Sequence, residues 1–215
     1  MTSTVMLAAM RTILDESSAS FWTDAEAYAA LADGQNEIIG LFLQVYKAKR
    51  KIDPDTELPQ ELAILLENVT NTGAVSSIVL PTGFLWLVNA TWDHDGSGTL
   101  EPCYVVNHDR SFFFNEKNTF LAATPTSPKV YLVDIGGVLK IQWLPANAGT
   151  AAYYYNYIKC PEVIASAVNA ELPVETHNAI VHFAVSRMFT KDQRPQESQM
   201  HYGIYAQEIK QLLGI

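Results

Sequence analysis

Along Glu171–Ile215 the chain reads ELPVETHNAIVHFAVSRMFTKDQRPQESQMHYGIYAQEIKQLLGI, and its apolar residues fall at helical spacings. Ile180, Val181, Ala184, Val185, Met188 and Phe189 recur at separations of one, three and four, which places them on one stripe of a helix. Pro173 stands where a first helical residue is expected, because its missing N–H would lack a partner there in any case. Lys191-Asp192-Gln193-Arg194 interrupts the stripe. Pro195 then opens a second helix whose predicted inward residues are Tyr202, Tyr205, Ile209, Leu212 and Leu213. Two helices joined by a short charged turn predict an antiparallel helical hairpin.

The same period runs through the first third of the chain. Residues 4–15 predict a short helix with Val5, Ala8, Ala9 and either Ile13 or Leu14 on its buried side, followed by a small-residue link, Ser17–Ser20. Thr23 and Glu26 have the spacing of a capping box, in which hydroxyl and carboxylate each satisfy a backbone N–H of the other. Tyr28, Leu31, Ala32, Ile38 or Ile39, Phe42, Val45 and Tyr46 follow on one face, so this helix runs to about Arg50, where Lys and Arg complement the helix dipole. Ile52-Asp-Pro-Asp reads as a turn. Pro59 opens a third predicted helix carrying Leu62, Leu65, Leu66 and Val69, ended by Asn71-Thr72-Gly73.

From Ser76 to Lys159 the period becomes that of strands. Phe84–Trp92, Cys103–Asn107, Lys129–Asp134, Val138–Trp143 and Ala152–Ile158 are rich in aromatic and β-branched residues. Turn signals at Asp95-Gly96, Gly136-Gly137 and Asn147–Gly149 separate them. Tyr153–Tyr157 would bury every second ring and leave the others, with Phe112–Phe114, for core or subunit contact. The predicted fold is therefore α+β: a bundle of four to five helices with an inserted antiparallel β-sandwich or small barrel. Residues 1–75 and 161–215 make the helical core and 76–160 the inserted β domain.

Composition narrows the function. Charged residues are 17% of the chain and apolar ones 48%, against about 25% charged in a typical soluble domain. A surface covered by a partner explains the deficit, as would a core-rich monomeric enzyme. With 14 basic and 23 acidic residues the net charge is −9, which disfavours direct DNA binding. The basic run Lys47–Lys51 reads as a solvated helix end. No basic stretch precedes the first apolar residues, so no signal sequence is expected, and no apolar run has the length of a membrane span. Cys103 and Cys160 then read as buried thiols inside predicted strands, in a protein made in a reducing cytoplasm.

Candidate chemistry is thin. Asp93-His94-Asp95-Gly96-Ser97-Gly98 resembles the first half of a calcium-binding loop, but position twelve is Tyr104, which supplies no carboxylate, and turn chemistry explains the same residues. Of the five histidines, His94, His108, His177, His182 and His201, none has metal-site spacing, and His108-Asp109 has no nucleophile motif beside it, so surface positions are expected. No catalytic, cofactor-binding or metal residue is assigned.

Several of these segments resemble, in order, the head-to-tail adaptor (connector or neck) proteins of tailed bacteriophages, with a tail-tubular-protein-A-like pattern. They are Arg11-Thr-Ile-Leu-Asp-Glu, the W-T-D-x-E helix start at Phe21–Tyr28, a D-G-Q/N turn of sequence at Asp33–Glu37, and the L-P, helix, K-D, terminal helix order of the C-terminal hairpin. The likeness covers both helical ends, about two thirds of the chain; Ile78–Cys160 has no family motif. It implies a structural protein of the virion neck rather than an enzyme, assembled in the host cytoplasm. It would form a ring, twelvefold in such proteins, beneath the portal protein and joined to tail or neck proteins, with no membrane partner. The genome would pass through the channel without specific binding, and Ile204–Ile215 would dock into the portal. A different class of reading is a β-sandwich carbohydrate- or calcium-binding module on a helical frame, with Asp93, Asp95 and exposed aromatics as ligands.

Overall fold

The computed structural model describes residues 1–16, 21–71, 77–93, 97–106, 122–144 and 152–214. The Ser17–Ser20 link, Thr72-Gly73, His94–Gly96, His108-Asp109, Phe112–Phe114 and Asn147–Gly149 lie outside these residues. Among the described residues five helices and two four-stranded sheets make an α+β fold. The chain divides into two compact units, residues 1–65 with 160–215, and residues 66–159.

The first unit is helical. Helix α1 is Ser3–Ile13, capped by the Thr2 hydroxyl, which accepts from Val5 N at 3.3 Å. Its buried face is Ser3, Met6 and Met10, one position later than the predicted Val5 and Ala9. Two interactions fix that rotation: the long Met side chains fill the core, and Ser3 N donates to Asn169 Oδ1 at 2.8 Å. Helix α2, Asp24–Ile52, spans about 43 Å at 1.5 Å per residue. Its capping box forms, with Glu26 N donating to Thr23 Oγ1 at 3.2 Å and Thr23 N to Glu26 Oε2 at 3.1 Å. Lys191 donates to the other Glu26 oxygen at 2.6 Å, and this bond, before those from Thr23, holds the Glu26 pKa down at about 2.

The third predicted helix is cut short. Helix α3 is only Gln60–Ala63, and Leu66–Asn71 is a strand, β1. Asn68, Val69, Thr70 and Asn71 are weak helix formers, so pairing across the sheet outweighs the helical spacing of Leu62, Leu65, Leu66 and Val69. A 3-10 turn, Val174–Thr176, follows Pro173 and leads into α4, His177–Lys191. Helix α5 is Pro195–Leu213, with Pro195 at its first position.

The described residues between 66 and 159 form a sandwich. Strands β2 (Ser77–Val79), β3 (Phe84–Asp93), β4 (Glu101–Pro102), β5 (Tyr104–Val105), β6 (Lys129–Ile135), β7 (Val138–Leu144) and β8 (Ala152–Lys159) join β1. One sheet has the order β1-β8-β3-β4, the other β2-β7-β6-β5. All pairings are antiparallel except β5 with β6, which are parallel, so the second sheet is mixed. Chain crossing between the sheets occurs at Cys103, between β4 and β5 rather than inside a strand; Cys103 N donates to Ala90 O at 2.9 Å. Cys160 follows β8 and is exposed, not buried. Between the sheets Trp92, Trp143, Tyr153, Tyr155 and Tyr157 are buried, with the Trp143 and Tyr153 rings 4.4 Å apart. Alternation sends Tyr154 and Asn156 to the opposite face, as the sequence of β8 predicts.

Candidate assembly site on the helical unit

The C-terminal hairpin is built as its sequence dictates. All six stripe residues of α4, from Ile180 to Phe189, are buried. At the turn Gln193 takes a left-handed backbone, φ 58°. Arg194 N donates to Phe189 O at 2.9 Å, while its guanidinium lies 4.6 Å from the centroid of the Phe189 ring and bonds Glu197 at 2.8 and 3.1 Å. Ser186 O receives both Thr190 Oγ1 and Ser198 Oγ at 2.9 Å, a polar clasp between the two helices. On α5, Tyr205 and Ile209 face inward as expected, but Tyr202 is 50% exposed and Met200 57%. With Phe183, Arg187, Gln193 and Gln199, Tyr202 lines an open groove of about 530 Å³.

Of the described histidines, His177 and His201 are buried and His182 is half-buried, not the surface positions expected. His177 is buried, with Nε2 2.9 Å from Leu172 O and Nδ1 2.6 Å from the Met1 amine, and burial pushes its pKa down. His182 Nδ1 and His201 Nδ1 lie 3.0 Å apart across the hairpin, with ring centroids at 5.2 Å. The difference between those distances is what two ring radii occupy, so both nitrogens lie on the line between the centroids. One Nδ1 must carry a proton and donate while the other accepts. Burial, then the neighbouring His182, lowers the pKa of His201, which favours the neutral form of that ring. Spacing alone gave no sign of this pair, since 19 residues separate its members.

No group of three or more His, Cys, Asp and Glu side chains that could hold a metal exists among the described residues. Asp93 is buried and its Oδ2 accepts Gly98 N at 3.0 Å, so this carboxylate closes a turn. No described helix is long and apolar enough to cross a membrane.

Asp33-Gly-Gln runs through α2 without a break. A Cβ on Gly34 would lie 3.0 Å from Ile180 O and 3.3 Å from Phe183 Cδ1, so the glycine admits the backbone of α4. Gln35, buried next to it, donates Nε2 to Glu162 O at 3.0 Å and accepts Glu171 N at 2.9 Å. One amide thereby holds both ends of the returning segment Glu162–Glu171. A glycine inside a strongly periodic helix is the signal that marks such close packing.

The family model described as SU10 adaptor protein matches residues 1–214. The chain belongs to this family. It is a bacteriophage adaptor, a structural component of the virion, and the family implies interaction with portal and tail proteins. The match is to the adaptor family as a whole, not to a tail-tubular-protein-A-like subgroup of it. No curated protein matches the chain. In the adaptor, the residues that carried the resemblance have structural work. Arg11 bonds Glu16 at 2.8 Å and Asp24 at 2.5 Å, and Glu16 Oε1 accepts Phe21 N and Trp22 N, so the first motif orients the second.

Proposed function

We propose that the adaptor forms a ring beneath the portal, twelvefold as in proteins it resembles, connecting the capsid to the tail and enclosing part of the DNA channel. The family match across residues 1–214 carries this reading. Residues 1–65 and 160–215 would supply the ring's helical core, with the β unit turned to neighbours or the tail. The C-terminal stretch from Ile204 would contact the portal, next to the exposed Met200 and Tyr202. No reaction is required of such a protein: a weak contact repeated around a ring gains its hold from avidity. A net charge of −9 suits a channel through which DNA slides without adhesion.

Cryo-EM of the purified chain, alone and mixed with the portal protein of the same genome, tests the proposal. A ring stacked coaxially on the portal is expected. A chain monomeric in both samples, with no portal complex, would overturn it.

A further inference from the structure

The open groove on the C-terminal hairpin has a mixed lining. Phe183, Pro195 and Tyr202 give it apolar walls, Gln193 and Gln199 bring amides, and Arg187 brings a cation. No carboxylate lines it among the described residues. The Arg187 guanidinium is loosely held. It meets Asp33 at 3.9 Å, the outer limit of an ion pair, with the two side chains 63% and 60% exposed. Its other neighbour is the Phe183 ring, whose centroid lies 6.0 Å away. An ion pair so open to water contributes little, so Arg187 retains capacity for a better-shielded anion. Ring surface beside an available guanidinium is the chemistry that takes an aromatic side chain with a carboxylate close behind it.

One segment of the chain has that chemistry. Residues 107–121, outside the described ones, read NHDRSFFFNEKNTFL, and Phe112, Phe113 and Phe114 stand just ahead of Glu116. The other internal stretches outside the described residues, 17–20, 72–76, 94–96 and 145–151, contain no Phe, Tyr or Trp. Before the segment, Val106 N donates to Val130 O at 2.8 Å, beside the edge strand β5; after it the described chain resumes at Ala122. Phe114 is eight residues from each of these positions, a reach of up to about 27 Å from the sheet edge.

We propose that the Phe112–Glu116 stretch of one copy docks in the hairpin groove of a second copy of this chain, phenylalanine rings against Phe183 and Tyr202 and the Glu116 carboxylate on Arg187. Resting on the ring reading above, this contact is head-to-tail. Segment and groove differ, so each copy offers one and receives the other, and such contacts close into rings when the rotation permits. Ring area supplies the hold, and the arginine–carboxylate pair the register and partner choice.

The test places a benzophenone-bearing amino acid at Tyr202 of the full chain in assembled virions, with the same probe at Val174, exposed on the same helical unit, as control. Irradiation should give a product of twice the chain's mass from position 202, with peptides joining 202 to 107–121, and no such peptides from 174. A link from 202 within one copy, to another virion protein, to a different part of a second copy, or to nothing would overturn the docking, as would equal linking from 174. Charge exchange gives an independent readout. R187E should reduce incorporation into particles at least tenfold, and adding E116R should restore it; no loss, or loss without rescue, counts against the pairing. Imaging the same particles separates the two levels. A ring at the neck without the 202 link sinks the docking alone, whereas a single copy or none at the neck sinks the ring reading and the docking with it.

Discussion

Replacing Gly34 and Gly40 by alanine, one at a time, should affect stability unequally although both lie in α2. Each substitution gains helix propensity of about 1 kcal/mol, because glycine is the more flexible residue when unfolded. At Gly40 a Cβ meets nothing within 4 Å, so the whole gain should appear. At Gly34 the Cβ would press on Ile180 O at 3.0 Å, Phe183 Cδ1 at 3.3 Å and Ile180 Cγ2 at 3.4 Å. The first of these is backbone of α4, which cannot rotate aside, and overpacking of this kind costs about 1–3 kcal/mol. Propensity cancels in the comparison, so the gap between the variants measures the helix contact: Gly34→Ala should be less stable than Gly40→Ala by about 1–3 kcal/mol. Urea unfolding followed by far-UV circular dichroism reads the loss of helix, which lies in the unit that holds both glycines, and gives the two midpoints to compare. Equal midpoints for the two variants would refute the close approach of α2 and α4.

Two further outcomes follow from the titratable groups. His177 and His201 both have lowered pKa values, so the fold keeps them neutral while the unfolded chain binds a proton near the usual histidine value of about 6.5. Stability is then intact above that value and falls as pH drops toward the folded values, by up to about 1.4 kcal/mol per pH unit for each group. Urea midpoints should decline from about pH 7.5 to 5.5, and His201→Phe should show a shallower decline; an unchanged slope would exclude His201. The lowered carboxyls of Glu26 and Glu197 act in a more acidic window, since a depressed carboxylate loses its contribution only as pH falls below its unfolded value of about 4.3. The cysteines should also separate in a thiol-labelling time course: exposed Cys160 reacts in the native protein, while Cys103, its thiol pushed up to about 12 by burial, waits for unfolding. Equal native rates would contradict the placement of Cys103.

Local signals were read correctly where local physics decides. The Thr23–Glu26 cap and the stripe of α4 depend on spacings within one helix, and both form as the sequence predicts. The failures occur where distant partners decide. Leu66 and Val69 continue a helical period, yet β8, some ninety residues later, offers register from Leu66–Ile158 to Asn71–Tyr153 and takes the segment into a sheet. Met6 displaced Val5 from the core of α1 because Asn169 fixes Ser3. The histidine pair and the Gln35 bridge each join residues far apart in sequence, so no periodicity announces them. Gly34 is the intermediate case: its identity is visible in the sequence, while the carbonyl it accommodates is not.

A charge content of 17% leaves few ionic groups for the outer faces of the sandwich. Asn68, Thr70, Asn89, Thr91 and Asn156 carry no charge either, but amides and hydroxyls remain hydrated at no cost and ask for no partner. Val79, Ile135 and Val138 differ, because burying that much apolar side chain is worth about 25 cal/mol per Å². The outer faces of the two sheets therefore differ in side-chain chemistry, Asn68, Thr70 and Asn89 on one against Val79, Ile135 and Val138 on the other. The distinction lies in strand register, not in composition: a one-residue slip of β7 against β6 would send Ile141 and Trp143 outward and Lys140 into the core. The aromatic core therefore fixes the exposed face as firmly as it fixes itself. A substitution that loosens Trp143 or Tyr153 should therefore alter the exposure of Val79, Ile135 and Val138, even though both residues are themselves fully buried.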